Sequence, residues 1–128
     1  MTTLTKICNI INVKLKYTYE RGLILEISCK NFGIDGLYVK ASGRLDLDSA
    51  VEYGVKIKDT MEDSNEEIKE LILDFSEITF ISSFGLKVVL ELYKEMQAKQ
   101  GSLSLKDIPE QLKNSFKMVG FDKFLDIG

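Results

Sequence analysis

The stretch from Leu71 to Tyr93 constrains this chain more than any other, because its apolar pattern changes period partway along. Leu71, Ile72, Leu73 and Phe75 form a near-continuous apolar run, which suits a strand covered on both faces. From Leu86 the apolar residues return at Val89, Leu90 and Tyr93, which is helical spacing. Ser82 and Ser83 stand at the change of period, just after Phe80 and Ile81. Serine is a favoured N-cap, since its side-chain oxygen accepts a bond from a free amide of the first helical turn. The stretch therefore predicts a buried strand, a short polar elbow and an amphipathic helix, with one or two hydroxyls at the positive end of that helix.

The flanking sequence supplies elements that can pack against this unit. Asn12 to Tyr19 alternates, with Val13, Leu15, Tyr17 and Tyr19 set against Lys14, Lys16 and Thr18, and predicts a half-buried strand. Glu20-Arg21-Gly22 reads as a turn, Leu23 to Ser28 as a second strand, and Lys30 to Gly36 as another turn. Leu37 to Gly43 is a third strand, and the short turns imply antiparallel pairing. Gly43 to Asp48 reads as a loop entering a helix capped by Asp46 or Asp48. Leu47, Ala50, Val51, Gly54, Ile57 and Met61 form its apolar stripe. Gly54, at a cost of about 1 kcal/mol relative to alanine, marks a close helix–sheet contact. Glu62 to Glu67 is a solvated acidic loop.

Beyond the elbow, the helix is expected to stop near Gln100, with Gly101 as its C-terminal cap. Leu103 and Leu105 belong to a short strand. Pro109 opens a further helix whose apolar side carries Ile108, Leu112, Phe116 and Val119, and Gly120 closes it. Phe124 to Ile127 reads as a last strand. Strands first, then strands alternating with helices, predict an α/β fold. Its mixed sheet has antiparallel N-terminal strands and parallel central strands, with about three helices covering one face or both.

Composition narrows the function. At 128 residues, 45% hydrophobic and 29% charged, the chain suits one soluble domain. A net charge of −3 with no basic cluster gives no reason to expect nucleic-acid binding. No apolar run approaches the roughly 20 residues of a membrane span, and the N-terminus shows no signal-peptide pattern, so a cytoplasmic location away from membranes is expected. Cys8 and Cys29 match no zinc or redox spacing and read as reduced, buried thiols. The chain contains no histidine, which removes the usual general base and the commonest transition-metal ligand. No enzymatic activity, cofactor or metal is expected.

On a wheel starting at Phe84, with about 100° per residue, Leu86, Val89, Leu90, Tyr93 and Gln97 turn toward the sheet. Phe84 and Val88 fall nearly opposite, among Lys87, Glu91, Lys94 and Glu95, with Leu92 at the boundary. This apolar ridge is either a docking surface or, more blandly, a local cap over the helix start. Ser82 and Ser83 either cap the helix and do nothing more, or accept a phosphate from a kinase. A phosphate adds about −1.5 to −2 charges. The helix N-terminus tolerates that charge, whereas a partner closed over a neutral hydroxyl would have to desolvate it. Asp46 and Asp74 are expected near the elbow in structural roles.

Leu73-Asp74-Phe75 through Phe80-Ile81-Ser82-Ser83-Phe84-Gly85-Leu86 resembles the signature of the STAS domain, named for sulfate transporters and anti-sigma factor antagonists. That signature is an apolar strand, then Asp-Ser-Ser-Gly-Leu, then an amphipathic helix. Gly43-Arg44-Leu45-Asp46 is similar to the family's Gly-Glu-Leu-Asp, and Gln111 to Asp126 to its closing helix and strand. The resemblance covers residues 23–128 as the STAS domain and leaves 1–22 as an N-terminal extension carrying an added strand. It implies an anti-sigma factor antagonist that acts by partner switching. The unphosphorylated form binds a serine-kinase anti-sigma factor and releases the sigma factor. Phosphorylation of the motif serine breaks the contact, and a phosphatase resets it.

Aligned on Gly85, the acceptor serine falls on Ser83, with Ser82 as second choice. The motif's aspartate falls on Ser82 and its second serine on Phe84. The partner surface implied is Asp46, Ser82, Ser83, Phe84, Lys87, Val88 and Glu91. The expected state is a monomer or weak homodimer. The alternative implied is a STAS interaction subunit of a transport or signalling complex that is never phosphorylated.

Overall fold

The computed structural model describes residues 13–18, 24–64, 66–123 and 125. In chain order these form β1 (Val13–Thr18), β2 (Ile24–Phe32), β3 (Gly36–Leu45), α1 (Leu47–Glu62), β4 (Glu70–Ile81), α2 (Ser83–Ala98), β5 (Ser102–Lys106) and α3 (Glu110–Met118), followed by a 3₁₀ turn at Phe121–Lys123. The sheet keeps sequence order, β1-β2-β3-β4-β5. β1, β2 and β3 pair antiparallel, while β3, β4 and β5 pair parallel. This is the mixed sheet expected. The turn at Glu20-Arg21-Gly22 and the Cys8 thiol lie outside the described residues, as does the last strand expected at Phe124–Ile127 except for Leu125, which is buried.

Alternation of side chains separates the two faces of the sheet. The row Cys29–Val39–Leu73–Leu105 is apolar and buried across four strands, and Leu37–Leu71–Leu103 forms a second such row. One register step away, Ser28–Lys40–Asp74–Lys106 is polar. The three helices pack on the apolar face. Tyr53 of α1 and Phe116 of α3 each meet the Phe75 ring edge-on, at centroid distances of 6.3 and 5.8 Å, and Phe116 also meets Phe121 at 5.6 Å. α2 contributes Val89, Leu92 and Met96. Among the described residues the helices cover one face only, so Ile72 is half-buried and β4 is not covered on both sides.

Several local expectations need correction. β2 runs on to Phe32, and the turn shrinks to residues 33–35, with Gly33 at φ 60°. Gly43, Arg44 and Leu45 are strand, not loop, because β4 extends to Ile81 and gives them partners at Ile78, Phe80 and Ile81. β4 reaches that far by taking in two extra residues at register shifts, and Phe75, Ile78 and Ile81 still point inward. Gln100, at φ 62°, takes the left-handed position after α2. Gly101 serves a different purpose: a Cβ there would lie 2.5 Å from the Lys69 carbonyl oxygen. Pro109 is the N-cap of α3 and not its first residue. Val119 is exposed, and Phe121 is buried in its place after Gly120 turns the chain at φ 84°.

The buried face of α1 is more polar than its sequence stripe. Ser49, Tyr53, Lys56 and Thr60 are buried beside Ala50, Gly54, Ile57 and Met61. Thr60 donates to the Lys56 carbonyl at 2.7 Å. The Tyr53 hydroxyl is buried and has no hydrogen-bond partner among the described residues, and burial pushes its pKa up. Because the hydroxyl is stripped of water and gains nothing in return, Tyr53→Phe should raise the unfolding free energy by about 1 kcal/mol, measured by urea titration.

Candidate functional site

The elbow is built where β3 and β4 end together, with Leu45 paired to Ile81. The Leu45 carbonyl accepts two hydrogen bonds from Ser82, one from its amide at 2.9 Å and one from its hydroxyl at 2.9 Å. The Ser82 oxygen accepts from the Gly85 amide at 3.2 Å and so caps α2. Gly85 must be glycine for steric reasons, since a Cβ there would lie 2.6 Å from Ile81 Cγ1 and 3.1 Å from the Leu45 carbonyl oxygen. The start of α2 is thus pressed onto the end of β3. Asp46 caps α1 at the same edge through a reciprocal box. Its carboxylate accepts from the Ser49 amide at 3.2 Å, and its own amide donates to Ser49 Oγ at 2.9 Å.

Ser83, the first residue of α2, differs from its neighbour. Its side chain is exposed, and its hydroxyl has no hydrogen-bond partner among the described residues. Phe84 is 49% exposed, and Lys87 and Glu91 are exposed along the same side of α2. The sequence-derived set therefore divides. Ser83, Phe84, Lys87 and Glu91 share an open surface, while Asp46 and Ser82 lie half-buried beneath it as caps.

Val88 departs from the expected outer ridge. It is half-buried against Gly54 of α1, where a Cβ would come within 2.9 Å of Val88 Cγ1. Gly54 thus marks a helix–helix contact, not a helix–sheet one. Because α2 packs on α1 as well as on the sheet, its buried arc centres on Gly85, Val89, Leu92 and Met96. Leu92 is fully buried, and Gln97, expected to face the sheet, is exposed.

The sequence reading also missed part of the surface. Leu47 and Val51, assigned to the buried stripe of α1, are 50% and 51% exposed, and Val55 beside them is 48% exposed. Gly54 sits level with Val88, and both helices run from the same sheet edge. Leu47, Val51 and Val55 lie on the outer side of α1. Their i, i+4, i+8 spacing was visible as a row separate from Ala50, Gly54, Ile57 and Met61. On the other side of the elbow, the Arg44 guanidinium stacks 4.2 Å from the Phe80 ring centroid.

The cap can be tested apart from the exposed hydroxyl. Ser82→Ala removes the bond to the Gly85 amide and should cost about 1 kcal/mol of stability, read from thermal or urea unfolding, with Ser83 left in place.

Asp74 does not lie at the elbow. It sits mid-strand on the polar face, seven residues before Ile81, or roughly 20 Å along an extended chain. Its carboxylate accepts from the Tyr38 hydroxyl, and from the Ser76 amide at 2.8 Å, beside the first register shift of β4. Burial pushes the Asp74 carboxyl up, but the bonds from Tyr38 and Ser76 and the nearby Lys40 charge outweigh it, and its pKa falls below the ordinary value. Burial, then the bond to Asp74, pushes the Tyr38 phenol up to about 12. The depressed carboxyl contributes stability that is full above the unfolded value near 3.9 and is lost as pH falls through the lower folded value. Unfolding free energy should therefore drop more steeply below about pH 4 in the wild type than in Asp74→Asn, as followed by urea titrations across that range.

No group of three or more metal-ligating side chains occurs among the described residues, and no described helix is long and apolar enough to cross a membrane. Cys29 is buried in the core.

Comparison with known proteins bears on this geometry. The STAS domain family model matches residues 31–128. BtrV of Bordetella bronchiseptica, named as an anti-sigma factor antagonist, is 34% identical over 53 residues, which make up 41% of this chain and 46% of BtrV. The match thus spans less than half of that relative. The anti-sigma factor antagonist SpoIIAA in its unphosphorylated form superposes with a TM-score of 0.68 at 18% identity, over 80% of this chain and 87% of SpoIIAA. The murine anion transporter Slc26a9 superposes with a TM-score of 0.65 at 15% identity, over 88% of this chain and 19% of the transporter. The two solved structures share the fold.

Proposed function

The chain belongs to the STAS domain family, and from that membership we propose that it is an anti-sigma factor antagonist working by partner switching. In its unphosphorylated form it binds a serine-kinase anti-sigma factor and so releases the sigma factor. The kinase then transfers the γ-phosphoryl group of ATP to Ser83: a bond forms from Ser83 Oγ to phosphorus, the bond to the ADP oxygen breaks, and the hydroxyl proton is lost. The added charge breaks the contact, and a phosphatase removes it. The relative named as an anti-sigma factor antagonist supports this reading.

The observation that carries the proposal is the contrast between the two elbow hydroxyls. Ser82 spends its oxygen on Leu45 and Gly85, whereas Ser83 is exposed with no partner among the described residues. A hydroxyl that already donates and accepts must break the helix cap before it can react. One that is open can react without disturbing the fold. Ser82, in place of the motif's aspartate, keeps the cap without a charge, so a phosphate on Ser83 would meet no carboxylate from the preceding residue. Phe84, Lys87 and Glu91 form the contact surface around it, with Asp46 holding the neighbouring helix start.

The test is the complex with the cognate serine-kinase anti-sigma factor, followed by light scattering. Adding ATP should dissociate the wild-type complex and leave the Ser83→Ala complex intact. Equal dissociation of both would sink the proposal. A second reading, a STAS interaction subunit that is never phosphorylated, is favoured by Phe84, since an exposed aromatic ring where the motif has a serine suits a lasting apolar contact. A wild-type complex indifferent to ATP, with no phosphate gained, would select it.

A further inference from the structure

The exposed side of α1 carries a pattern that neither the elbow nor the core uses. Asp48, Val51, Val55 and Lys58 recur at spacings of three, four and three, the alternation of the two seam positions of a heptad. Asp48 is exposed, Val51 and Val55 are 51% and 48% exposed, and Lys58 is half-exposed. The row is apolar at its centre and oppositely charged at its two ends.

That arrangement complements itself. In an antiparallel pair of such helices each layer joins one seam position to the other kind on the facing helix. Centring the pair between Val51 and Val55 sets Val51 against Val55 of the second copy, and Asp48 against Lys58 of the second copy, each pair occurring twice. A parallel pair would set Asp48 on Asp48 and Lys58 on Lys58, which like-charge repulsion disfavours. A twofold interface requires a surface that matches itself after rotation, and this row meets that condition. We propose that α1 is the contact surface for a second copy of this chain, in a weak dimer with the two α1 helices antiparallel. The inference is independent of partner switching, because it involves neither Ser83 nor phosphorylation.

Sedimentation velocity on the full chain at low salt tests this, with far-UV circular dichroism confirming that each variant is folded. The wild type should show a reversible monomer–dimer equilibrium. Asp48→Lys and Lys58→Glu each place like charges opposite one another at both ends of the interface, and each should weaken the dimer at least about tenfold. The double variant, Asp48→Lys with Lys58→Glu, restores opposite charges and should return to within about threefold of wild type. Asp48→Asn, gentler on the helix start, should weaken the dimer less than Asp48→Lys. A wild type that stays monomeric up to about 0.5 mM, a range in which even weak contacts register, would overturn the proposal. So would a dimer indifferent to the single swaps, or a double variant as weak as either single one.

Discussion

Ser83→Asp should weaken binding to the serine-kinase anti-sigma factor by at least about a hundredfold, or about 2.7 kcal/mol. The argument starts from the local geometry. Ser83 is the first residue of α2, its side chain points to solvent, and Phe84 beside it is half-exposed. A partner that covers Phe84 also covers the Ser83 hydroxyl and removes water from both. A neutral hydroxyl loses little there. A carboxylate must be desolvated without a prepared counter-charge, which costs several kcal/mol before any compensation. Within the free protein the same charge is harmless, because the N-terminus of α2 favours an anion. Isothermal titration with the kinase should therefore show lost affinity for Ser83→Asp without lost stability, and near-wild-type affinity for Ser83→Ala. Unchanged affinity for Ser83→Asp would mean that the partner does not close over this residue.

Phe116→Ala is expected to be the most damaging core substitution, costing about 3–5 kcal/mol. Phe116 is fully buried, and its ring joins Phe75 of the central strand to Phe121 of the closing turn. Phe75 in turn meets Tyr53 of α1, so one chain of ring contacts ties α1, β4, α3 and the C-terminal turn together. Truncation leaves a cavity that helices anchored at both ends cannot collapse around. Since domains of this kind are stable by about 5–15 kcal/mol, the loss takes a large share of the total. The urea midpoint should fall accordingly. Phe84→Ala, at an exposed position, should barely move it.

The parts of this structure that local chemistry dictates were legible from residues alone. The period change between Phe75 and Leu86 located the elbow, the Asp46 cap followed from helix-start preferences, and alternation at Leu37, Val39 and Ala41 identified the buried face of β3. What was hidden depends on partners distant in sequence. α2 is rolled toward α1 by the Gly54–Val88 contact, and no wheel drawn from α2 alone contains that information. α1 was misread because Ser49, Tyr53 and Thr60 are buried where polarity argued for solvent, while Leu47 and Val51 face outward. The Tyr38–Asp74 bond joins residues 36 positions apart in sequence, so the placement of Asp74 away from the elbow needed the strand register.

The most direct test is to locate the phosphate. After incubation with the cognate serine-kinase anti-sigma factor and ATP, tandem mass spectrometry of the digested chain should show a single phosphate on Ser83. A chain left wholly unmodified, or one whose phosphate maps to Ser82, would contradict the assignment of the open hydroxyl as the switch.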